Sequence, residues 1–317
     1  MKIAIINSVS LPIKTGPSFT AIERARYLAD QGHSVTLYFP YLYNKKIQEK
    51  VWGRIYSPRR FLMYLKKQYG VIKCKNINIK LFDSRYSSVY RWFTIKTNHL
   101  SDIYRANFEH VIFEDPTCHL FLQVFNFTIV KRSAIKTTFI HHTDFFRIVP
   151  AFWTWMAYQG VTRILTTFDL PNVHHILLSR SIIPNKARKH LSYSVLPVHA
   201  VRSTFYLSNE LPTGNGVYFM GKLDDRHKQF TMILDWTKDV CDLNVYGSGK
   251  DERLLDSYDR CIYHGVVDDV KEALQNHSIY ISVTPLEGIC TTTAEALVMN
   301  KYALILEAEC NEVFRGM

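Results

Sequence analysis

Long apolar runs and closely spaced cysteines are missing from this sequence of 317 residues, and a secretory leader is not expected. A bilayer span needs about 20 consecutive apolar residues, so no segment is predicted to cross a membrane. Residues 2–7 form an apolar run that carries one basic residue and is too short for a secretory signal. The 6 cysteines lie far apart without a C-x-x-C pair. This spacing argues against a disulfide framework or a zinc site and favours a reducing, cytoplasmic compartment.

Acidic residues are scarce between residues 41 and 100, where only Glu49 and Asp83 oppose fourteen lysines and arginines. The whole chain has a formal net charge of +11, so this window carries the entire excess. We call residues 45–96 the basic block. It is also rich in aromatic residues, among them Trp52, Tyr56, Phe61, Tyr64, Tyr69, Tyr86, Tyr90, Trp92 and Phe93.

A basic segment rich in aromatic residues is typical of a surface that binds anionic lipid headgroups. Each Lys or Arg near such a membrane contributes about 1 kcal/mol to binding. Nucleic-acid phosphates are an alternative partner for the same charges. A solvated face of a lysine-rich protein is the third interpretation, and the sequence leaves all three open.

The chain opens with a strand, a turn, a helix and a second strand, which is typical of a doubly wound α/β fold. Residues 2–7 and 34–39 are the apolar runs expected of buried parallel strands. Between them Ile22, Ala25 and Leu28 recur at helical spacing, and Gly32 is predicted to end that helix. Four further strands are predicted at residues 111–113, 138–140, 163–165 and 193–196.

The polar, Gly- and Pro-containing stretch of residues 207–216 is predicted to be a linker between two domains, residues 1–206 and 217–317. Strands are then predicted at residues 217–220, 243–246, 262–263, 278–283 and 302–306, alternating with helices at 230–236, 251–258, 270–275 and 293–299. Two Rossmann-like domains that face each other would enclose a ligand cleft.

Glu287 and Glu295 form an E-x7-E spacing that follows a predicted strand and enters a helix. The first carboxylate is expected in the loop and the second about one turn into the helix. Between them the amides of Thr291, Thr292 and Thr293 lie at a helix N-terminus, which favours anions.

This pattern resembles the nucleotide-sugar site of retaining GT-B glycosyltransferases of family 4, and more narrowly the digalactosyldiacylglycerol synthases. The resemblance is collinear over essentially the whole chain. It is carried by the segments at residues 10–16, 34–42, 113–116, 142–143, 218–222, 244–249, 290–297 and 311–314.

The resemblance implies specific roles in donor binding. Glu287 would contact hydroxyls of the donor sugar, and Glu295 would contact the ribose. Lys228 would bind the diphosphate, with Lys222 nearby. The remaining donor-binding residues would approach the phosphate or flank the base: Gly16, Gly247, Ser248, Gly249 and Val267, together with the three threonines above.

In the N-terminal domain the resemblance implies that His142 faces the reacting sugar. Glu114 and Asp115 would lie on the acceptor side. GT-B enzymes act without a metal cofactor, and the pairs Asp224–Asp225 and Asp268–Asp269 are expected to be loop or capping residues. The family continues past the segment that resembles residues 311–314, so this chain is expected to lack its C-terminal end.

The function implied is retaining transfer of a hexose, galactose or glucose, from a UDP-sugar to a lipid or glycolipid at a membrane surface. The basic block would hold this peripheral enzyme to anionic lipid. Two alternatives remain open: the same donor chemistry on a glycan, protein or nucleic-acid base, and an inactive module that binds nucleotide sugars.

Overall fold

We describe the protein from a computed structural model. The residues described are 1–7, 16–68, 76–87, 92–114, 124–142, 170–179, 182, 193–195, 214–224, 228–267, 269–284 and 290–315. The chain divides into two compact units. The N-terminal unit comprises Met1–Leu178 and Ile182–Ala200, and the C-terminal unit comprises Ser179–Ser181 and Val201–Met317.

The N-terminal unit contains an eight-stranded sheet in the order β4-β3-β2-β1-β5-β6-β7-β8. All described pairings are parallel except that between β3 and β4. The strands are β1 Lys2–Ile6, β2 Ser34–Tyr41, β3 Ile77–Ser87, β4 Trp92–Ile95, β5 His110–Glu114, β6 Lys136–His141, β7 Val173–Leu177 and β8 Tyr193–Val195.

Helices connect these strands in the manner of a doubly wound fold. They are α1 Gly16–Asp30, α2 Lys45–Trp52, α3 Pro58–Gln68, α4 Thr97–Arg105 and α5 Val124–Arg132. Helix α1 ends where predicted, because Gly32 adopts a φ of +83° and its N–H bonds to the carbonyl of Ala29. The core packs strand residues such as Ile6, Phe113 and Phe139 against α4 and α5.

The basic block folds into α2, α3, β3 and β4, none of which the sequence predicted. Helices α2 and α3 are joined by an aromatic stack, since the rings of Trp52 and Phe61 lie 4.7 Å apart and nearly parallel. Both side chains are buried, so Trp52 belongs to the core and is not available to a membrane. The buried Gln48 side chain donates to the carbonyl of Leu42 and accepts from the N–H of Tyr56, which ties the chain before α2 to the loop between α2 and α3.

The C-terminal unit contains a fully parallel five-stranded sheet in the order β11-β10-β9-β12-β13. Its strands are β9 Gly216–Met220, β10 Leu243–Tyr246, β11 Cys261–Gly265, β12 His277–Ser282 and β13 Tyr302–Ile305. The helices are α6 Phe230–Thr237, α7 Val270–Leu274 and α8 Thr291–Val298, with 3-10 turns at Glu252–Ser257 and Glu309–Phe314.

Two core clusters cover the two faces of this sheet, because successive residues of a strand point to opposite faces. Phe219 packs with Phe230 and Leu234 of α6. Its neighbour Tyr218 packs with Tyr280 and with Ala296 of α8. Helix α8 therefore packs on the face of the sheet that carries Tyr218 and Tyr280, which we call the tyrosine face.

The predicted strands at residues 217–220, 243–246 and 278–283 are confirmed within a residue or so. The predicted strand at 163–165 falls outside the described residues, whereas β7, at Val173–Leu177, was missed. The predicted helix at 251–258 is a 3-10 turn. Of the predicted linker, residues 207–213 fall outside the described residues, and its last residue, Gly216, begins β9. Over the part of the chain described, no helix is both long and apolar enough to cross a bilayer.

Candidate functional site

Each sheet has a switch point at which the crossover direction reverses, between β1 and β5 in one unit and between β9 and β12 in the other. In open α/β sheets, ligands bind beyond the carboxyl ends of the strands at such points. The predicted site residues that the structure describes lie mainly after β5, β6, β9, β10 and β12. In each unit these residues therefore lie at the edge of the sheet where ligands of this fold class bind.

In the N-terminal unit, Glu114 ends β5 and bonds two partners at once. Its Oε1 accepts from Nε of Arg24 in α1 at 2.6 Å. Its Oε2 lies 2.5 Å from Nε2 of His142, the residue after β6. The Glu114 side chain is 0% exposed, that of His142 4% and that of Arg24 14%. The structure thus brings His142 and Glu114 together, and neither oxygen of Glu114 is presented to an acceptor.

Opposing effects set the charge of Glu114. Burial would raise the pKa of this carboxyl, but the Arg24 guanidinium and the His142 hydrogen bond outweigh it and lower the pKa to about 2. An ionised carboxylate has no proton to donate, so it can only accept. His142 must therefore donate its Nε2–H to Glu114.

His141, the last residue of β6, lies in the interior of the N-terminal unit beside β7. It is buried and stacks on His175 of β7, with ring centroids 5.4 Å apart and a contact of 3.1 Å between Nε2 and Nδ1. Burial, followed by the neighbouring imidazoles His175 and His142, holds the pKa of His141 well below its usual value. His141 is therefore a neutral core residue.

In the C-terminal unit, the turn after β10 passes very close to the chain after β9. A Cβ on Gly247, at φ +127°, would lie 1.8 Å from the carbonyl oxygen of Gly221, and one on Gly249 would lie 2.0 Å from that of Leu223. Between them the carbonyl of Ser248 accepts from Leu223 N–H at 3.0 Å. The glycines are needed here because no side chain fits between the two backbones.

The next turn, after β11, is tied to the same place. The N–H of Gly247 donates to the carbonyl of Gly265 at 2.7 Å, and the Tyr263 hydroxyl donates to the carbonyl of Gly247 at 3.0 Å. Val267 packs beside Tyr246 in the tyrosine-face core. The two turns assigned to the nucleotide base thus form one hydrogen-bonded edge.

Helix α8 begins at Thr291, at the position that the sequence assigned to an anion site. Its N-cap, Cys290, makes no side-chain capping bond, so the cap leaves the first-turn amides to other partners. The Thr292 hydroxyl points inward, 2.6 Å from the hydroxyl of Tyr280 and 3.1 Å from the Cys290 sulfur. Thr293 is fully buried. These threonines therefore offer a ligand their backbone rather than their side chains.

Glu295 lies one turn into α8 and is half-buried. Its carboxylate lies close enough to Tyr218 in β9 to interact with the phenol. Burial, and after it the negative charge of Glu295, raise the pKa of Tyr218. Tyr218 is 1% exposed. The sequence did not identify Tyr218 or Tyr280 as neighbours of the site, because both read as strand core.

Asp224 lies beside lysines that follow β9 and β10. Lys250 Nζ lies 3.2 Å from Asp224 Oδ1, and Lys222 Nζ lies 3.8 Å from Asp224 Oδ2. The N–H of Lys228 donates to the Asp224 carbonyl at 2.8 Å. The aliphatic end of Lys228 lies beside Gly221, since its Cε would be 3.8 Å from a Cβ there. Lys228 thus lies next to the glycine turn.

The acidic pairs show structural roles where they are described. Asp224 pairs with lysines, and Asp269 caps α7 by accepting from the N–H of Glu272 at 3.0 Å. In the described ranges, no group of three His, Cys, Asp or Glu is placed to hold a metal ion. Glu287, Asp115 and the other two aspartates, Asp225 and Asp268, lie outside the described residues, and Gly16 is described only as the first residue of α1.

Comparison with known proteins gives the fold and a set of distant relatives. No family model matches the chain. It is 23% identical to digalactosyldiacylglycerol synthase 1 of Arabidopsis thaliana, covering 99% of this chain and 41% of the relative. With digalactosyldiacylglycerol synthase 2 of Glycine max it is 25% identical, covering 99% and 72%. The chain therefore spans about two fifths of synthase 1.

Solved structures resemble the whole chain at low sequence identity. Anabaena HepE in complex with UDP and glucose has a TM-score of 0.63 at 12% identity, covering 100% of this chain and 83% of HepE. A Staphylococcus aureus TarM mutant in complex with UDP has a TM-score of 0.64 at 8% identity, covering 97% and 86%. WaaG, a glycosyltransferase of lipopolysaccharide biosynthesis, has a TM-score of 0.59 at 12% identity, covering 98% and 83%. The chain has the GT-B fold of these glycosyltransferases, and the fold prediction is confirmed.

Proposed function

We propose that this chain is a retaining glycosyltransferase that moves a hexose, galactose or glucose, from a UDP-sugar to a lipid or glycolipid. The observation that carries the proposal is the strand-end edge of the C-terminal unit. There the glycine turn, the first turn of α8 and Glu295 lie at the switch point of a Rossmann-like sheet. Related folds have been solved with UDP and with sugars, which supports a UDP-sugar donor.

The proposed chemistry breaks the bond between the anomeric carbon and the phosphate oxygen, and the electron pair leaves with UDP. The acceptor hydroxyl oxygen bonds the anomeric carbon on the same face, and its proton passes to the departing phosphate. Negative charge grows on the diphosphate during this step. Lys228, with Lys222 nearby, and the positive end of α8 would stabilise that charge. Because these groups supply the positive charge, we propose that the reaction needs no metal.

The glycolipid acceptor and the membrane partner rest on two further observations. The curated relatives are named as synthases of digalactosyldiacylglycerol. The basic block presents exposed cations on α2 and α3, among them Lys45, Lys50, Arg59 and Lys67. Ile55 and Met63 are exposed among them, at 51% and 57%. Such a surface fits a cytoplasmic enzyme held peripherally on anionic lipid.

The experiment is a donor and acceptor screen. Wild-type protein is incubated with UDP-galactose, UDP-glucose and UDP-N-acetylglucosamine, with monogalactosyldiacylglycerol vesicles, a glycan or DNA as acceptor. We expect transfer to the glycolipid, with an α-linkage by NMR that matches the α-linked donor. Transfer to the glycan or DNA alone would replace the acceptor. UDP binding with neither transfer nor donor hydrolysis would leave a nucleotide-sugar-binding module.

A further inference from the structure

The Arg24–Glu114–His142 chain links three elements of the N-terminal unit: helix α1, the end of β5 and the end of β6. The sequence resemblance predicted that His142 faces the reacting sugar and that Glu114 lies on the acceptor side. In the structure Glu114 is 0% exposed, and both of its oxygens are engaged by Arg24 and His142 within the unit.

We propose that Glu114 and Arg24 are positioning residues that hold the His142 ring in one orientation with its proton on Nε2. The inference rests on the proposed function for what His142 contacts. Its structural content, a fixed ring and a fixed tautomer, stands on the contacts alone. Glu114 is a carboxylate that can only accept, so the nitrogen 2.5 Å from it must carry the hydrogen.

Stability alone does not explain such an arrangement. A buried carboxylate loses hydration, and well-packed apolar residues in place of a buried ion pair are often as stable or more so. What a buried, hydrogen-bonded ion pair supplies is a defined geometry. Glu114 fixes one ring, and Arg24 in turn fixes Glu114 from a different element.

Arg24 also balances charge. With the guanidinium on Oε1, the Glu114 carboxylate is already neutralised, so its bond to His142 needs no second positive charge. The bond itself requires only that His142 donate from Nε2. Arg24 lies 90 positions from Glu114 in sequence. The residue that holds the Glu114 carboxylate therefore belongs to α1, the helix that follows the first strand.

Two double variants separate the hydrogen bond from the ion pair. Both Arg24→Met with Glu114→Gln and Arg24→Met with Glu114→Leu remove the two charges together. Only the first keeps an acceptor for His142. UDP binding by the C-terminal unit and the melting temperature check that both proteins fold.

We expect the glutamine variant, which lacks Arg24 but keeps an acceptor for His142, to lose about 10-fold in kcat, whereas the leucine variant loses about 100-fold, both with little change in the KM for the UDP-sugar. NMR of ¹⁵N-labelled histidine should show His142 protonated on Nε2 in wild type and a tautomer mixture in the leucine variant. Equal kcat in the two variants, or an unchanged tautomer in the leucine variant, would overturn the inference. A wild type without transfer or hydrolysis would remove the proposed function, and the tautomer comparison would still decide the positioning.

Discussion

The carbonyl oxygen of Leu223 lies where a side chain on Gly249 would begin: a Cβ there would be 2.0 Å away. Neither backbone can withdraw easily, since the N–H of Leu223 is bonded to Ser248 and that of Gly249 to Glu252. The turn after β10 and the chain after β9 thus hold each other in place at the proposed donor edge.

Gly249→Ala should therefore destabilise the C-terminal unit by about 1–3 kcal/mol and weaken UDP binding, because the overlap forces the two turns apart. Gly265→Ala is the matched control. Its φ of +69° is unfavourable, but no atom lies within 4 Å of the added carbon, so it should cost only about 1 kcal/mol. Chemical denaturation of both variants measures the difference. Equal losses would show that the close approach is not restrictive.

Glu295→Ala should weaken the binding of UDP itself by about 10–100-fold, since the proposed ribose contact is a charged hydrogen bond. Glu287→Ala should leave UDP affinity unchanged and reduce sugar transfer. Calorimetric titration with UDP distinguishes the two, with the exposed Glu307→Ala as control. Wild-type affinity in Glu295→Ala would remove the ribose assignment.

Lys228→Ala should lower kcat by about 100-fold if its ammonium stabilises the departing diphosphate. Lys238→Ala, an exposed lysine in the same unit, should have no effect. Transfer should also continue in EDTA. Strict dependence on a divalent cation would contradict the proposed chemistry, and unchanged turnover in Lys228→Ala would assign the diphosphate to another group.

Reversal of Arg59, Arg60, Lys66 and Lys67 to Glu should release the protein from anionic vesicles and leave UDP binding intact. These side chains lie on α3, and their attraction to lipid is screened over about 8–10 Å at moderate salt. Vesicle sedimentation at rising salt measures the effect.

The matched control for this surface reverses four exposed cations elsewhere in the same unit, Arg105, Lys131, Arg132 and Lys136. It changes the net charge equally but should retain vesicle binding. If wild type ignores vesicles and instead binds DNA with a steep salt dependence, the nucleic-acid alternative replaces the membrane.

Acid should weaken the N-terminal unit through Glu114. Its pKa is about 2 when folded, against 4.5 for an ordinary glutamate. A depressed folded pKa gives stability that is full above pH 4.5 and is lost as the pH falls toward 2, on the order of 3 kcal/mol in total. The Arg24→Met, Glu114→Gln variant should lack this component. Unfolding free energies at several pH values test it, and parallel curves for the two proteins would refute it.

The sequence predicted the parallel strands near both switch points because their apolar runs are short and bounded by turns. It missed β7, in which His174 and His175 interrupt the run. The second of these imidazoles is buried against His141, so a strand interior here contains polar rings that only the three-dimensional pairing explains.

The basic block was also beyond prediction. It contains two short helices, each with a single described pair of buried residues at i, i+4 spacing: Gln48 and Trp52 in α2, and Phe61 and Leu65 in α3. At the site, the sequence assigned Glu114 to the acceptor side and gave no sign of an ion pair. The burial of Glu114 depends on Arg24, which lies in a different element, and no local pattern joins two residues so far apart in sequence.

The order of the strands has a consequence for how the protein folds. Strand β1 pairs with β5 after more than one hundred intervening residues, and β9 pairs with β12 after more than fifty. Each proposed binding edge therefore exists only once a distant closure has occurred, and such closures are slow steps in folding. A ligand that recognises the paired strand ends therefore binds only weakly before that pairing has formed. UDP should then lower the unfolding rate of the C-terminal unit and leave its folding rate almost unchanged.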